Sequence, residues 1–182
     1  LQSNTVGDRS VAVGYNSLNA QNPDSNTDMY NTAIGHSSGA FITTGTKNVA
    51  VGALALDANT TASRNTVVGY GSGGNITTGN ENVCLGHAAG DELTTGSDNV
   101  VIGGDASSGG SGSVDRIVIG RNATGTANDR VTLGIASNLA ELDLNGSDTS
   151  WAASSDERLK ENINDSEAGL SFLNDLRVRT FD

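Results

Sequence analysis

The stretch Asn48-Val49-Ala50-Val51-Gly52 decides the fold, because versions of it recur every 17 residues between residues 31 and 120. Each version is a short apolar run closed by a glycine. The closing glycines are Gly35, Gly52, Gly69, Gly86, Gly103 and Gly120. A fixed period of this size is typical of a solenoid, in which each coil stacks on the previous one and no coil folds alone.

An asparagine stands before the apolar run in five of these coils. These asparagines are Asn31, Asn48, Asn65, Asn82 and Asn99. Asparagine suits a strand entrance because it tolerates turn conformations, and stacked asparagines can form a side-chain amide ladder. The closing glycine fits a turn that needs a positive φ or a close approach of two backbones. Each run is therefore predicted to be a strand of three or four residues between two corners.

Threonine pairs lie midway between the apolar runs, again 17 residues apart. They are Thr43-Thr44, Thr60-Thr61, Thr77-Thr78 and Thr94-Thr95. We interpret them as a second short strand in each coil. The sequence then predicts an all-β fold, a parallel β-roll of about eight coils over residues 1–134, with a terminal strand and linker over 135–153.

The two sides of each strand differ in composition. Successive side chains of a strand point to opposite faces. We expect the large outer residues, such as Val49 and Val51, to fill the coil interior, so that the middle residue Ala50 faces away. The middle column is Ala12, Ala33, Ala50, Val67, Cys84, Val101, Val118 and Thr132. Because a continuous apolar stripe rarely stays in water, this column predicts self-association.

Net charge, the length of the apolar runs and the cysteine count exclude several classes of function and of binding site. The net charge of −11 argues against binding to nucleic acid, whose phosphates require clusters of Lys and Arg. No apolar run is long enough to insert into a membrane. The single cysteine, Cys84, rules out an internal disulfide and is predicted to be a buried structural thiol. His36 and His87 stand three coils, or ~14 Å, apart, too far to share a metal ion. No metal or cofactor is expected.

Composition changes after Trp151, where glycine almost disappears. The spacing of Leu159 and Ile163 predicts a helix for which Ser155 is a suitable N-cap, and a second helix should follow through Leu170 and Leu176. Taken alone, these residues would be ordinary helices in which Lys160 is a solvated charge.

The Asn-x-Ala-Val-Gly coils of residues 4–134 resemble the head repeats of trimeric autotransporter adhesins and of related phage tail fibres. This resemblance implies a homotrimer of left-handed parallel β-rolls. It also leaves open a host-cell receptor or glycan as a second partner.

The segment Ser155-Asp156-Glu157-Arg158-Leu159-Lys160-Glu161-Asn162-Ile163, with residues 169–181 behind it, resembles the opening of the endosialidase-type intramolecular chaperones. The resemblance implies a C-terminal domain that assists trimerisation of a fibre and then cuts itself off at the Ser154–Ser155 bond. Ser155 matches the nucleophile and Lys160 its partner base. A serine needs such a base, and a lysine serves only when burial or neighbouring charge keeps its amine neutral. We expect residues 154–182 to be the N-terminal part of this single-turnover autoprotease.

These features predict a structural virion protein, the distal part of a phage tail fibre or spike, assembled in the host cytoplasm and acting outside the cell in host attachment. One alternative is the head of a bacterial trimeric surface adhesin. A more remote alternative is an ice-binding solenoid, suggested by the ladder Thr43, Thr60, Thr77 and Thr94.

Overall fold

A computed structural model describes residues 1–146 and the backbone of the short strand Ala152–Ala153. In this part the chain is a β-solenoid of about seven turns with a period close to 17 residues. The described residues contain no helix. The predicted all-β repeat fold is confirmed, whereas the helices predicted after Ser155 lie outside the described residues.

The described residues form twelve strands, six of which have three residues and repeat once per coil. They are β1 (Gly7–Asp8), β2 (Val11–Val13), β3 (Thr27–Asp28), β4 (Thr32–Ile34), β5 (Val49–Val51), β6 (Thr66–Val68), β7 (Val83–Leu85), β8 (Val100–Ile102), β9 (Arg116–Ile119), β10 (Arg130–Ile135), β11 (Asn138–Asp143) and β12 (Ala152–Ala153). Strands β2 and β4–β12 form one ten-stranded sheet, while β1 pairs with β3 alone. Along β4–β9 each residue pairs in parallel with the residue 17 further on, as Ala50 does with Val67.

The threonine pairs do not form the predicted second strand, so that prediction is wrong. The backbone N–H groups of Thr43, Thr44 and Gly45 all donate to the single carbonyl of Thr60, at 2.9, 3.3 and 3.4 Å. Three successive donors that converge on one acceptor make a tight bend rather than a strand ladder. Each coil therefore has one strand and a long loop that is hydrogen-bonded to the next coil.

The two faces of the strands are the reverse of the prediction. The middle residues point into the coil: Ala50 is 1% exposed, and Val67 and Cys84 are fully buried. The flanking residues point outward. The interior is narrow, and its opposite wall already supplies large side chains such as Ile42 and Ile76. Small residues therefore fit on the strand side, and the middle column is the core rather than an assembly surface.

The asparagine ladder is confirmed and runs through the coil interior. Asn65 Nδ2 donates to Asn48 Oδ1 at 3.3 Å and to the Gly79 carbonyl at 2.9 Å. Asn65 Oδ1 in turn accepts from the backbone N–H and Nδ2 of Asn82, at 2.9 and 3.1 Å. Each buried amide thus joins three successive coils, and the donors and acceptors of the ladder are satisfied. Elsewhere in the described interior, the buried Gln21 Nε2 and Asn59 Oδ1 have no hydrogen-bond partner.

The closing glycines adopt the predicted positive φ. At Gly35 φ is 137°, and a Cβ there would lie 2.5 Å from the carbonyl oxygen of Gly52 in the next coil. Only glycine permits this approach, so the corner that ends each strand is fixed by sequence.

The solenoid ends in a hairpin. Strand β10 pairs in parallel with β9 and antiparallel with β11, so the chain reverses direction after Ile135. Arg130 at the start of β10 contacts Asp143 and Glu141 of β11, at 2.5 and 3.0 Å. The short strand predicted around Leu142 is confirmed, and it covers the last edge of the parallel sheet.

Candidate assembly surface

The residues on either side of each buried middle residue form a continuous surface, which we call the outward face. Its first column is Val11, Thr32, Val49, Thr66, Val83, Val100, Ile117 and Val131. Its second column is Val13, Ile34, Val51, Val68, Leu85, Ile102, Ile119 and Leu133. Apart from the two threonines every member is apolar, and none is buried in the single chain.

Exposure is highest toward the ends of this face and at its second column. Val11 and Val13 are 50% and 55% exposed, and Ile34 is 41% exposed. Monomeric soluble proteins rarely leave a contiguous apolar surface of this kind in water. The outward face is therefore the strongest candidate for an interface, although it does not by itself give the number of copies.

A column in which every member but Tyr30 is charged borders the start of the strands, five residues before each closing glycine. This entry column is Arg9, Tyr30, Lys47, Arg64, Glu81, Asp98, Asp115 and Asp129. All its members are exposed, and all have a left-handed backbone with φ between 52° and 62°. The first half of the column is basic or aromatic and the second half is acidic.

The two halves of the entry column meet at an ion pair. Arg64 Nη2 lies 2.5 Å from Glu81 Oε1. Beyond this point acidic groups adjoin one another: partial burial raises the pKa of Asp98, and the charges of Glu81 and Asp115 raise it further. Within the described residues Asp115 has no ion pair. The acidic half thus carries negative charge that the chain itself does not neutralise.

A second column, rich in rings, borders the other side of the outward face. This exit column follows the closing glycines and comprises Tyr15, His36, Ala53, Tyr70, His87, Gly104, Arg121 and Ile135. Tyr15 stacks on His36 with ring centres 5.4 Å apart, and Tyr70 stacks on His87 at 5.7 Å. His87 Nδ1 also lies 3.1 Å from Asp105 Oδ1. Both histidines are exposed.

An acidic groove of about 230 Å³ lies beside Tyr70. It opens over Gly74, between the carboxylates of Asp57 and Asp91. Burial raises the pKa of both carboxyls, and the charge of Asp91 adds to the shift at Asp57. Asn75 Nδ2 donates to Asp91 Oδ1 at 3.0 Å. Acidic groups alone do not define a ligand site, so we assign none to this groove.

The predicted catalytic residues Ser155 and Lys160 and the predicted cleavage site at Ser154 lie outside the described residues. Their roles stay predictions. Cys84 is confirmed as a buried thiol: burial, with a contribution from Glu92, raises its pKa to about 12. Among residues 1–146 there is no cluster of metal-ligating side chains and no helix that could cross a bilayer.

The threonine ladder that suggested ice binding forms hydrogen bonds to the backbone of the next coil. The hydroxyls of Thr43 and Thr77 donate to the carbonyls of Thr60 and Thr94 in the next coil, at 2.9 and 3.1 Å. These hydroxyls therefore stabilise the stacking of coils, and the ladder needs no ligand to explain it.

Sequence reasoning missed the outward face and both border columns. The alternation of side chains along a strand could have predicted the outward face. The asparagine and the middle residue are two positions apart, so they must point to the same side, and the ladder of asparagines belongs inside the coil. The signal for the entry column was the change of charge sign along positions 47, 64, 81 and 98. Comparisons with known proteins add no further evidence, since no protein-family model, no curated protein and no solved structure matches this chain.

Proposed function

We propose that this chain is a structural fibre protein, the distal part of a phage tail fibre or spike, which assembles as a homotrimer and takes part in host attachment. The observation that carries the proposal is the outward face, an apolar surface that runs the length of the solenoid and is exposed in a single chain. The likeness of the repeats to trimeric fibre heads supports the number of copies and the biological setting.

A solenoid suits this role because every coil contributes the same area to the outward face. An interface between parallel copies grows in proportion to the number of coils, and so does the length of the shaft. The asparagine ladder needs no second chain, since its buried amides are satisfied within one chain. Assembly therefore buries the apolar face and leaves the loop side in solvent.

The segment after Ser154 completes the proposal. Interlocked coils with nearly identical strands offer few cues for register, and a C-terminal chaperone would bring three chains together in the correct alignment. Lys160 would take the hydroxyl proton of Ser155, whose Oγ would then attack the carbonyl carbon of Ser154. The C–N bond would break as the lysine returns the proton to the departing amino group of Ser155, and water would hydrolyse the ester that remains. A neutral lysine needs a dry site, so cleavage would follow assembly.

Native mass spectrometry tests the assembly. The 18.4 kDa chain should be observed mainly at three times that mass at micromolar concentration. A clean monomer would contradict the proposal, because the outward face would then be stable in water. Immunogold labelling with antibodies against residues 1–146 should decorate the tail of virions, and label confined to bacterial cell surfaces would favour an adhesin.

Cleavage is tested in the full-length parent protein. Replacement of Ser155 or Lys160 by alanine should abolish release of the C-terminal part, as seen by denaturing gel electrophoresis. Ser166→Ala is the matched control and should leave release unchanged. Normal cleavage in both test variants would refute the assigned pair.

A further inference from the structure

The interior of the solenoid contains two kinds of coil, which differ at two buried positions three residues apart. In one kind the first position is glycine and the second is a large aliphatic residue. In the other kind the first is leucine and the second is an amide. The glycine pairs are Gly39 with Ile42, Gly73 with Ile76 and Gly90 with Leu93, and the leucine pairs are Leu18 with Gln21 and Leu56 with Asn59. None of these five coils combines leucine with a large aliphatic residue at the second position.

The two positions of a pair compete for the same space. A Cβ on Gly73 would lie 2.9 Å from Ile76 Cδ1, and a Cβ on Gly39 would lie 2.9 Å from Ile42 Cδ1. Because the interior is closely packed, a side chain at the first position requires the aliphatic side chain at the second to give way. The amide in the leucine coils is therefore the counterpart of the leucine.

The backbone follows the same path in both kinds of coil. Leu56 has a left-handed φ of 55°, and Gly73 has a φ of 54°. The N–H of Leu56 donates to the Ser72 carbonyl in the next coil at 3.1 Å, and the N–H of Gly73 donates to the equivalent Ala89 carbonyl at 2.9 Å. The two kinds of pair can therefore be exchanged between coils without a change of backbone.

The leucine pair destabilises the coil formed by residues 52–68. Glycine adopts a left-handed backbone freely, whereas leucine does so at a penalty, and Leu54 of the same loop is left-handed as well, with a φ of 58°. Asn59 is fully buried, its Oδ1 has no partner, and its Nδ2 donates only to the Ala62 carbonyl, at 3.3 Å. An unpaired buried acceptor lowers the stability of the folded state. All of these penalties fall on one loop, residues 53–62.

The other leucine coil is better secured. Gln21 Oε1 accepts hydrogen bonds from Ser10 Oγ and Asn31 Nδ2, both at 3.0 Å. This amide therefore adds one group to the end of the asparagine ladder, although its Nε2 has no partner. Within the described residues Asn59 bonds to no side chain of the ladder. The two leucine coils thus differ in how firmly the amide is held.

We propose that the coil of residues 52–68 is a preset weak point of the solenoid, and that Leu56 with Asn59 creates it. Its loop, residues 53–62, detaches from the neighbouring coils more often than the equivalent loops 70–79 and 87–96, while β5 and β6 stay paired. Such local opening depends on the contacts of the segment concerned and not on the stability of the whole fold. The inference goes beyond the proposed function and does not depend on the number of copies, because these residues lie inside one chain.

Amide hydrogen exchange of the full chain, followed by NMR, tests the weak point. The N–H groups of Leu56 and Gly73 make equivalent hydrogen bonds to the next coil, so they form a matched pair within one molecule. After correction for intrinsic rates, the amide of Leu56 should exchange roughly tenfold faster than that of Gly73. Equal protection of the two amides would overturn the proposal.

A repaired coil provides the second test. Leu56→Gly/Asn59→Ile gives this coil the glycine pair of its neighbours, so exchange in residues 53–62 should slow to the rate of residues 70–79 and Tm should rise. Leu56→Gly alone is the control. It leaves a cavity beside an amide that is still unpaired, so its Tm should fall. A double variant that exchanges as fast as the unmodified chain, or that melts no higher than Leu56→Gly, would contradict the inference.

The reverse exchange tests the coupling within a pair. Gly73→Leu/Ile76→Asn moves the leucine pair into the next coil, which should still fold but should exchange roughly tenfold faster over residues 70–79. Gly73→Leu alone should be far less stable than this double variant, because the added side chain meets Ile76 Cδ1. If the single variant is as stable as the double, the two positions are not coupled and the assigned pairs are wrong.

Discussion

The two sides of each strand follow opposite rules. In β5 the buried residue is the small Ala50, while the larger Val49 and Val51 face outward. In most domains the larger apolar residues fill the core. Here the large apolar residues of the core, such as Ile42 and Ile76, come from the loop side of the coil, and the strand side adds one buried residue between two that face outward. Apolar size alone therefore does not tell which face of the strand is buried.

Ala50→Asp should give the largest effect. A charge at a site 1% exposed has no partner in the coil interior, and Val67 and Ala33 pack directly above and below it. We expect a loss of several kcal/mol in the free energy of unfolding, enough to unfold neighbouring coils. Circular dichroism and urea titration measure it. A stable, folded variant would place the middle column outside.

Asn65→Ala should come next. It removes one rung of the ladder and leaves the buried Oδ1 of Asn48 and Nδ2 of Asn82 each one contact short. We expect roughly 2–4 kcal/mol of destabilisation by urea titration. The exposed Asn75→Ala is the control and should cost much less. Equal costs at the two sites would show that the ladder does not stabilise the interior.

Val51→Asp tests the outer side of the same strand. The side chain is half-buried and lies on the outward face, so the coil should fold and its far-ultraviolet spectrum should be unchanged. Assembly should be lost, because three charges would meet on an apolar surface. Size-exclusion chromatography with light scattering should report a folded monomer. An intact oligomer would remove the outward face from the interface.

The smallest expected effect is a pH dependence at the groove. Burial, and then the charge of Asp91, raise the folded-state pKa of Asp57 above its unfolded value, so the folded state binds this proton more readily. Stability at this site should therefore rise as pH falls from the raised pKa toward the usual aspartate value. Asp57→Asn should increase Tm at pH 7, and its advantage should shrink with acidification. An advantage independent of pH would contradict this assignment.

The repeat itself could be predicted because it depends on the local conformational preferences of single residues. Gly35 and its equivalents need a positive φ, and the asparagines recur at the period of the coils. The orientation of the strands could not be judged from side-chain size, because the width of the coil is a tertiary property. The predicted strand at Thr43 failed because three N–H groups converge on one carbonyl, which residue preference does not reveal. Ser155 and Lys160 keep their predicted roles without a structural outcome.

From β4 to β9 each residue pairs with the one 17 positions further on, so the number of repeats sets the length of this part of the rod. Deletion of residues 52–68 would join Val51 to Gly69, and every column would continue across the junction with one level missing. Each such unit shortens the rod by one strand spacing, ~4.8 Å. Gene segments that gain or lose whole periods can therefore adjust the reach of the rod in equal steps, with every column kept aligned.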